Sequence, residues 1–384
     1  MNIYSLLPAL ERLRPSGHRD HLDGIRALAA LWVVLSHLWI IVFGRSAHHG
    51  WLGLLTNWTL YSHFAVDIFI VLSGFCLILP VARDGGLKGG AWAFFRRRAR
   101  RILPPFYAAL AVSLLVRLAI QALEHHPLSA DPLAILVNFA LLQDVFLSQN
   151  IFNGPFWSIA VEWRIYFLFP ALVWGMARWG RPAALAGAAL AAACLTVPLL
   201  KLHPEMLMAS PWYLFLFALG ACAGSLTGSD SEGRHAERRF GLMVLAGAVL
   251  TLALLLWRHP VTEQGGGDFG VYMPMMDVAV GIVAAALLLC LSWAARPFPL
   301  LTWRPLVALG GFAYSLYLVH MPCLLLLNCL LGVWLPALID PLKRVLLLSS
   351  SLPLILGLAY LFFLACERPF LIRKSKQPSV EIVA

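Results

Sequence analysis

Ten apolar runs of roughly 20 residues, the length that crosses a ~30 Å hydrocarbon core, are spaced along this 384-residue chain. They cover residues 22–43, 61–81, 103–123, 157–178, 183–200, 210–227, 240–257, 272–294, 307–333 and 344–366. Lipid offers no water to a backbone N–H or C=O, so each run must satisfy its own polar groups as a helix. Composition agrees. Hydrophobic residues make up 60% of the chain and charged residues only 12%, about half the charged fraction of a soluble domain. The expected fold class is all-α, a polytopic transmembrane bundle of about ten helices.

Orientation follows from the cationic side chains, which accumulate on the cytoplasmic side of a membrane. With the N-terminus inside, 21 of the 29 Lys and Arg residues fall in inner segments. The outer segments hold five, namely Arg45, Lys201, Arg258, Lys343 and Arg344. Both termini are therefore expected in the cytoplasm of a multi-pass inner-membrane protein. The net charge of +10 is explained by this bias and by attraction to an anionic inner leaflet of membrane lipids. No aromatic-interleaved basic patch accompanies it, so no nucleic acid is expected as a partner. All seven cysteines fall in the apolar runs without a CxxC or a Cys/His ligand spacing, which implies neither disulfides nor a metal. About twenty polar-rich residues precede the first run, unlike a signal peptide.

One transmembrane domain is expected over residues 22–370, after a cytoplasmic segment 1–21 and before a cytoplasmic tail 371–384. Within the outer stretch 124–156, the semi-apolar piece 132–146 is too short to cross and reads as a surface or re-entrant helix. No internal repeat of the transporter kind is present.

Ionisable groups at bilayer depth cost several kcal/mol by some scales, so each is a functional candidate. Here they are Arg26, Arg117, Arg164, Asp67, Glu162 and Asp277, with His37, His63 and His320. Three cations balance three anions, so structural pairing competes with chemistry. At 1.5 Å per residue, His37, Asp67 and Glu162 all lie roughly 8–9 Å below the outer boundary. Arg26 and His37 are eleven residues apart, about three turns, and share one helix face ~16 Å apart along the axis. That spacing suits one elongated substrate held at both ends. His37 fits a proton acceptor near neutral pH, with Asp67 or Glu162 to orient it. It equally fits a packed histidine bonded to a backbone carbonyl. The run Arg96-Arg97-Arg98-Ala99-Arg100-Arg101 reads either as a positive-inside anchor or as a phosphate clamp, with a helix start adding donors.

Several stretches resemble the membrane-bound acyltransferase-3 family. His21-Leu22-Asp23-Gly24-Ile25-Arg26 with Val34-Leu35-Ser36-His37 is similar to its first helix, and Phe64-Ala65-Val66-Asp67 leading to Leu72-Ser73-Gly74-Phe75 to its second. Arg98-Ala99-Arg100-Arg101 is similar to its RxxR motif, and Phe156-Trp157-Ser158-Ile159-Ala160-Val161-Glu162 to its WSL-x-x-E element. Tyr314-Ser315-Leu316-Tyr317-Leu318-Val319-His320 resembles its late tyrosine–histidine helix, and Glu367-Arg368-Pro369 its closing motif. The resemblance runs from His21 to Phe370.

It implies transfer of an acyl group, usually acetyl, from cytoplasmic acyl-CoA to a hydroxyl of a surface or exported carbohydrate or glycolipid. Some members instead modify lipophilic metabolites such as macrolides. By resemblance His37 is the catalytic base, with Arg26 essential beside it and Glu162 at a motif position; on the reading of the residues, Asp67 or Glu162 completes the catalytic set by balancing the imidazolium. Arg98 and Arg101 would hold the CoA phosphates. Ser73, Tyr314 and His320 are grouped with them as donor-binding positions, and Glu367 also matches a motif. Many relatives carry an extra periplasmic domain. This sequence shows none, so it is expected to act alone; its oligomeric state is open. A proton-coupled transporter would bury the same residue types, but it gives no reason for the RxxR mouth.

The charge asymmetry makes a direct prediction. Cysteine at Thr59, between the first two runs, should react with an impermeant thiol reagent from outside, and cysteine at Gly89 only after permeabilisation. The reverse pattern would invert the topology.

Overall fold

The computed structural model describes residues 20–45, 50–146, 152–202, 209–227, 234–258, 272–294, 298–336 and 340–371. The expected cytoplasmic segments 1–21 and 371–384 lie outside these residues, apart from Asp20, His21 and Leu371. The described residues form helices and turns with no strand. In chain order the helices are α1 (Asp20–Phe43), α2 (Gly50–Thr56), α3 (His63–Asp84), α4 (Gly90–Leu123), α5 (Pro132–Phe139), α6 (Gln143–Phe146) and α7 (Phe156–Trp179). There follow α8 (Arg181–Leu202), α9 (Tyr213–Leu226), α10 (Arg234–Arg258), α11 (Met273–Ser292), α12 (Arg304–Gly310), α13 (Ala313–Trp334) and α14 (Asp340–Phe362). Nine helices among the described residues are long and apolar enough to cross a membrane. The chain is a multi-pass, all-α membrane bundle.

Three elements differ from their sequence expectation. The run 210–227 forms only the 14-residue α9, roughly 21 Å long and shorter than the hydrocarbon core. It survives because it is enclosed. Tyr213, Leu216, Phe217, Ala218, Gly220 and Ala221 are all buried. The run 307–333 is two helices, α12 and α13, broken at Gly311 and Phe312. The arginine run, expected at a helix start, lies inside α4, which begins six residues before Arg96. Free N-terminal donors are therefore absent from that run, and any anion there meets guanidinium groups. Pro104 and Pro105 further along α4 cannot donate to the carbonyls of Arg100 and Arg101.

The helices meet where glycine lets backbones touch. A Cβ on Gly220 would stand 1.9 Å from the Val71 carbonyl oxygen, and one on Gly74 would stand 2.1 Å from that of Phe217. With Gly224 one turn on, also pressed against Phe75 and Ile78, this is small-xxx-small packing between α9 and α3. A second close approach joins α1 to the segment ending in α12. There, a Cβ on Gly24 or Gly310 would stand 2.1 Å from the carbonyl oxygen of Leu301 or Asp23, respectively.

The outer piece 132–146 forms α5 and α6, which do not cross. Asp131 caps α5 by accepting from the Leu133 amide at 2.9 Å. Asp144 of α6 is buried and receives both terminal nitrogens of Arg164 on α7. Burial raises the Asp144 carboxyl pKa and the Arg164 guanidinium opposes the rise. Of the intramembrane cations, Arg164 is thus a structural partner. Thr59, named above as an outer probe, is 3% exposed and donates to the Thr56 carbonyl. Leu55, 63% exposed on α2, is the better position.

Gly220→Ala should destabilise the protein in detergent by about 2 kcal/mol or more, because the added methyl overpacks a backbone contact. Gly187→Ala, where nothing lies within 4 Å, should be neutral or slightly stabilising. Thermal melts of the two variants against wild type decide the matter.

Candidate active site

Helix α3 carries two polar stripes on opposite faces. At 100° per residue, Phe69, Ser73 and Cys76 lie along one face, whereas His63, Asp67, Val71 and Gly74 lie along the other. The first stripe faces α1, α7 and α13. Cys76 Sγ accepts from Arg26 Nη2 at 3.0 Å, Ser73 Oγ is 3.0 Å from the Tyr166 hydroxyl, and the Phe69 ring packs edge-on against Tyr317. The second stripe faces α9 and α11.

His37 and His320 are brought together from α1 and α13. The His320 Nε2 lies 3.3 Å from His37 Nδ1, with ring centroids 5.1 Å apart. The hydrogen-bond partners assign the tautomers. His320 Nδ1 faces the carbonyl oxygens of Tyr317 at 2.8 Å and Leu316 at 3.2 Å. A carbonyl only accepts, so Nδ1 carries the proton and Nε2 holds the lone pair. His37 Nδ1 faces the Val33 carbonyl at 2.9 Å as well as His320 Nε2. It too is the protonated nitrogen. His37 Nε2 is left with its lone pair and no hydrogen-bond partner among the described residues. Both readings of His37 are therefore present together: the carbonyl bond expected of a packed histidine is what leaves Nε2 basic.

Neither carboxylate expected beside His37 is there. Glu162 accepts from the Tyr166 hydroxyl at 2.5 Å, and Tyr166 in turn meets Ser73. Asp67 is fully buried on the other face of α3, toward Asp277 and Tyr213. Equal depth did not mean a shared cluster. His320, grouped by sequence with donor-binding residues, is the group in contact with His37.

Beneath the histidine pair a line of polar groups runs between α3, α4, α7 and α13. The Tyr317 and Ser158 hydroxyls lie 2.7 Å apart, and each is within hydrogen-bond reach of the Pro155 carbonyl, so one donates to that carbonyl and the other to its partner hydroxyl. The Glu162–Tyr166–Ser73 chain follows. Arg98 is partly buried with its guanidinium 5.9 Å from the Phe94 ring centroid, and its buried Nε has no hydrogen-bond partner among the described residues. Arg101 is exposed. Tyr314 donates to the Ile102 carbonyl at 3.1 Å, and Glu367, in a π-turn closing the last helix, accepts from Ser315 at 2.5 Å. Arg26 pairs with Asp23 on its own helix, three turns from His37.

Tyr166, Tyr317, Asp23 and Cys76 were not singled out from the sequence as part of this line. Tyr166 and Tyr317 stand four and three residues from Glu162 and His320, and Asp23 three from Arg26, so helical spacing carried the signal. Cys76, read as a passive core residue, gave none.

The bundle thus brings two histidines together from α1 and α13 and sets a partly buried arginine on α4. The chain belongs to the acyltransferase-3 family: the family model, described as an acyltransferase domain, matches residues 19–364. It is similar to a Bacillus subtilis (strain 168) protein named as a peptidoglycan O-acetyltransferase, YrhL, at 26% identity over 79% of this chain and 48% of the relative. It is also similar to O-acetyltransferase OatA of Staphylococcus aureus (strain NCTC 8325 / PS 47), at 22% identity over 83% of this chain and 53% of the relative. Nodulation protein 10 of Rhizobium leguminosarum bv. viciae is 27% identical over 44% of this chain and 48% of the relative. The chain spans about half the length of the curated relatives it matches. No solved structure matches it significantly.

The tautomer assignment predicts the behaviour of His320 variants. His320→Ala should lower kcat for acyl transfer by about 10²-fold or more with KM for the donor little changed. His320→Gln retains an acceptor for His37 Nδ1–H and should recover to within roughly tenfold of wild type. Equal activity of the two variants would deny His320 this positioning role.

Proposed function

We infer that this protein transfers an acetyl group from acetyl-CoA to a hydroxyl of a surface or exported glycan across the inner membrane. Three things support the reading: family membership, the relatives named as O-acetyltransferases, and the free lone pair on His37 Nε2. The last carries it, because oxygen acylation needs a base at the acceptor hydroxyl.

Arg98 and Arg101 would hold the CoA phosphates at the cytoplasmic mouth. The fit rests on Arg98 Nε, a buried donor with no acceptor among the described residues, and on guanidinium geometry that matches phosphate oxygens. The pantetheine arm would then follow the polar line past Tyr314, Ser73 and Tyr166. The ~16 Å between Arg26 and His37 along α1 is comparable to that arm when extended.

At the other end His37 Nε2 takes the proton from the acceptor hydroxyl. The alkoxide oxygen attacks the thioester carbonyl and a new C–O bond forms. The C–S bond breaks as the electron pair leaves with the CoA sulfur, and the proton held by His37 passes to that thiolate. During the step the imidazolium is stabilised by the lone pair of His320 Nε2, which accepts from His37 Nδ1–H.

One set of purified variants tests the whole reading. His37→Ala should lose acetyl transfer by about 10²-fold or more while binding acetyl-CoA normally by calorimetry in detergent. Arg98→Ala and Arg101→Ala should weaken acetyl-CoA binding more than they slow transfer at saturation. Transfer retained by His37→Ala at a tenth of the wild-type rate would remove it as base. Unchanged affinity in both arginine variants would return the run to a topological anchor. Loss of an acetyl mass from surface glycans in a deletion strain would identify the acceptor class.

A further inference from the structure

The second stripe of α3 gathers a cluster that the transfer chemistry does not use. His63 at the start of α3, Asp67 one turn along and Asp277 on α11 offer three ligand atoms within 4.8 Å of one another. His63 Nε2 is 2.9 Å from Asp277 Oδ1. The other oxygen, Asp277 Oδ2, accepts from the indole N–H of Trp212 at 2.7 Å, which fixes the plane of that carboxylate. Asp67 is 0% exposed and, among the described residues, neither of its oxygens accepts a hydrogen bond of good geometry. Its nearest polar neighbours are the Asp277 carboxylate and the Tyr213 hydroxyl.

Two carboxylates turned toward each other in a dry interior need a compensating positive charge. The donor set selects its nature. One imidazole and two carboxylates form a common set for divalent transition ions, particularly zinc. Around a tetrahedral ion with bonds of ~2.0–2.2 Å, neighbouring ligand atoms lie roughly 3.3–3.6 Å apart, so the 2.9 Å between His63 and Asp277 need open by only about half an ångström to admit one. The Trp212 contact supplies the outer-shell hydrogen bond that such carboxylates need. His63 follows the 3₁₀ turn Asn57–Tyr61 and its side chain is 17% exposed, so an ion has a way in from that end.

We propose that His63, Asp67 and Asp277 bind a divalent cation of the zinc type, which fastens α3 to α11 across the end of α9. The site is separate from the His37–His320 pair, since Asp67 and Phe69 point to opposite faces of α3. Its role is structural: it holds the helix whose other face carries Ser73 and Phe69.

The test uses the full-length protein in detergent, stripped with chelator and titrated with zinc alone. The wild type should retain about one tightly held zinc per chain, and its melting temperature should rise with zinc concentration. Asp67→Asn should weaken that binding by about 100-fold or more, and Trp212→Phe, which touches no metal, by about 10–100-fold. Native cysteines and surface histidines bind zinc weakly in all variants and cancel in the comparison. Wild type and an Asp67→Asn/Asp277→Asn double variant taking up equal zinc would overturn the proposal and leave a shared proton between the carboxylates. Should the double variant fail to fold, wild-type stoichiometry and the Trp212→Phe shift decide the same question. A wild type with no tight zinc, or with affinity unmoved by Trp212→Phe, overturns it.

Discussion

Lipid offers no hydrogen bonds, so the polar groups this chain carries into the bilayer must find one another, and α3 determines which of them can. Its Gly74 meets α9 at backbone distance, and Gly220 and Gly224 of α9 return the contact. Hydrophobic driving force is weak between helices in lipid, so close backbone packing of this kind carries much of the association. The contact also explains how a 14-residue helix is kept inside the bundle. α9 is too short to stand alone against lipid, and α3 and α11 enclose it.

Fixing one face of α3 against α9 fixes the opposite face as well. Ser73 and Cys76 are then turned toward α7 and α1, and the hydrogen bonds to Tyr166 and Arg26 follow. Asp67 is turned the other way. Asp67 and His37, a carboxylate and an imidazole on adjacent helices, are thus kept apart by helical phase. The consequence is electrostatic. The pair on His37 is a neutral imidazole rather than an anion, so the centre carries no fixed negative charge at rest.

Spacing along each helix was legible in the sequence, and the direction a side chain takes around it was not. Ten apolar runs, the charge asymmetry and the 1.5 Å rise gave His37, Asp67 and Glu162 one expected depth, and the short-range partners Tyr166 and Asp23 were within reach of the same spacing rule. What the sequence could not contain was which helix sits beside which face. The meeting of His37 with His320, 283 residues apart, depends on α13 packing against α1, and nothing in either helix alone announces it. The run 307–333 breaks just after Gly310, at a Gly310-Gly311 pair that lies within continuous hydropathy and so does not interrupt the apolar pattern. The arginine run misled for a related reason. Polar residues were read as marking the helix start, whereas α4 continues through them because 34 residues at 1.5 Å extend roughly 50 Å, far past the hydrocarbon core.

A neutral histidine pair suits the inferred transfer better than the aspartate–histidine arrangement first expected. A carboxylate against His37 would stabilise the imidazolium strongly, but it would also place a permanent anion where an alkoxide and then a thiolate must develop. Two imidazoles avoid that repulsion. The proton taken from the acceptor appears on His37 while negative charge appears on the reacting oxygen, so the site and its substrate together stay close to neutral through the step. His320 Nε2 contributes a lone pair without contributing a charge, and its own Nδ1–H is tied to the Tyr317 and Leu316 carbonyls, which prevents it from turning. Charge is then concentrated where the substrate itself is charged. Arg98 and Arg101 stand on the long α4, where bound phosphates would gain Coulomb attraction without adding a charge to the histidine pair itself.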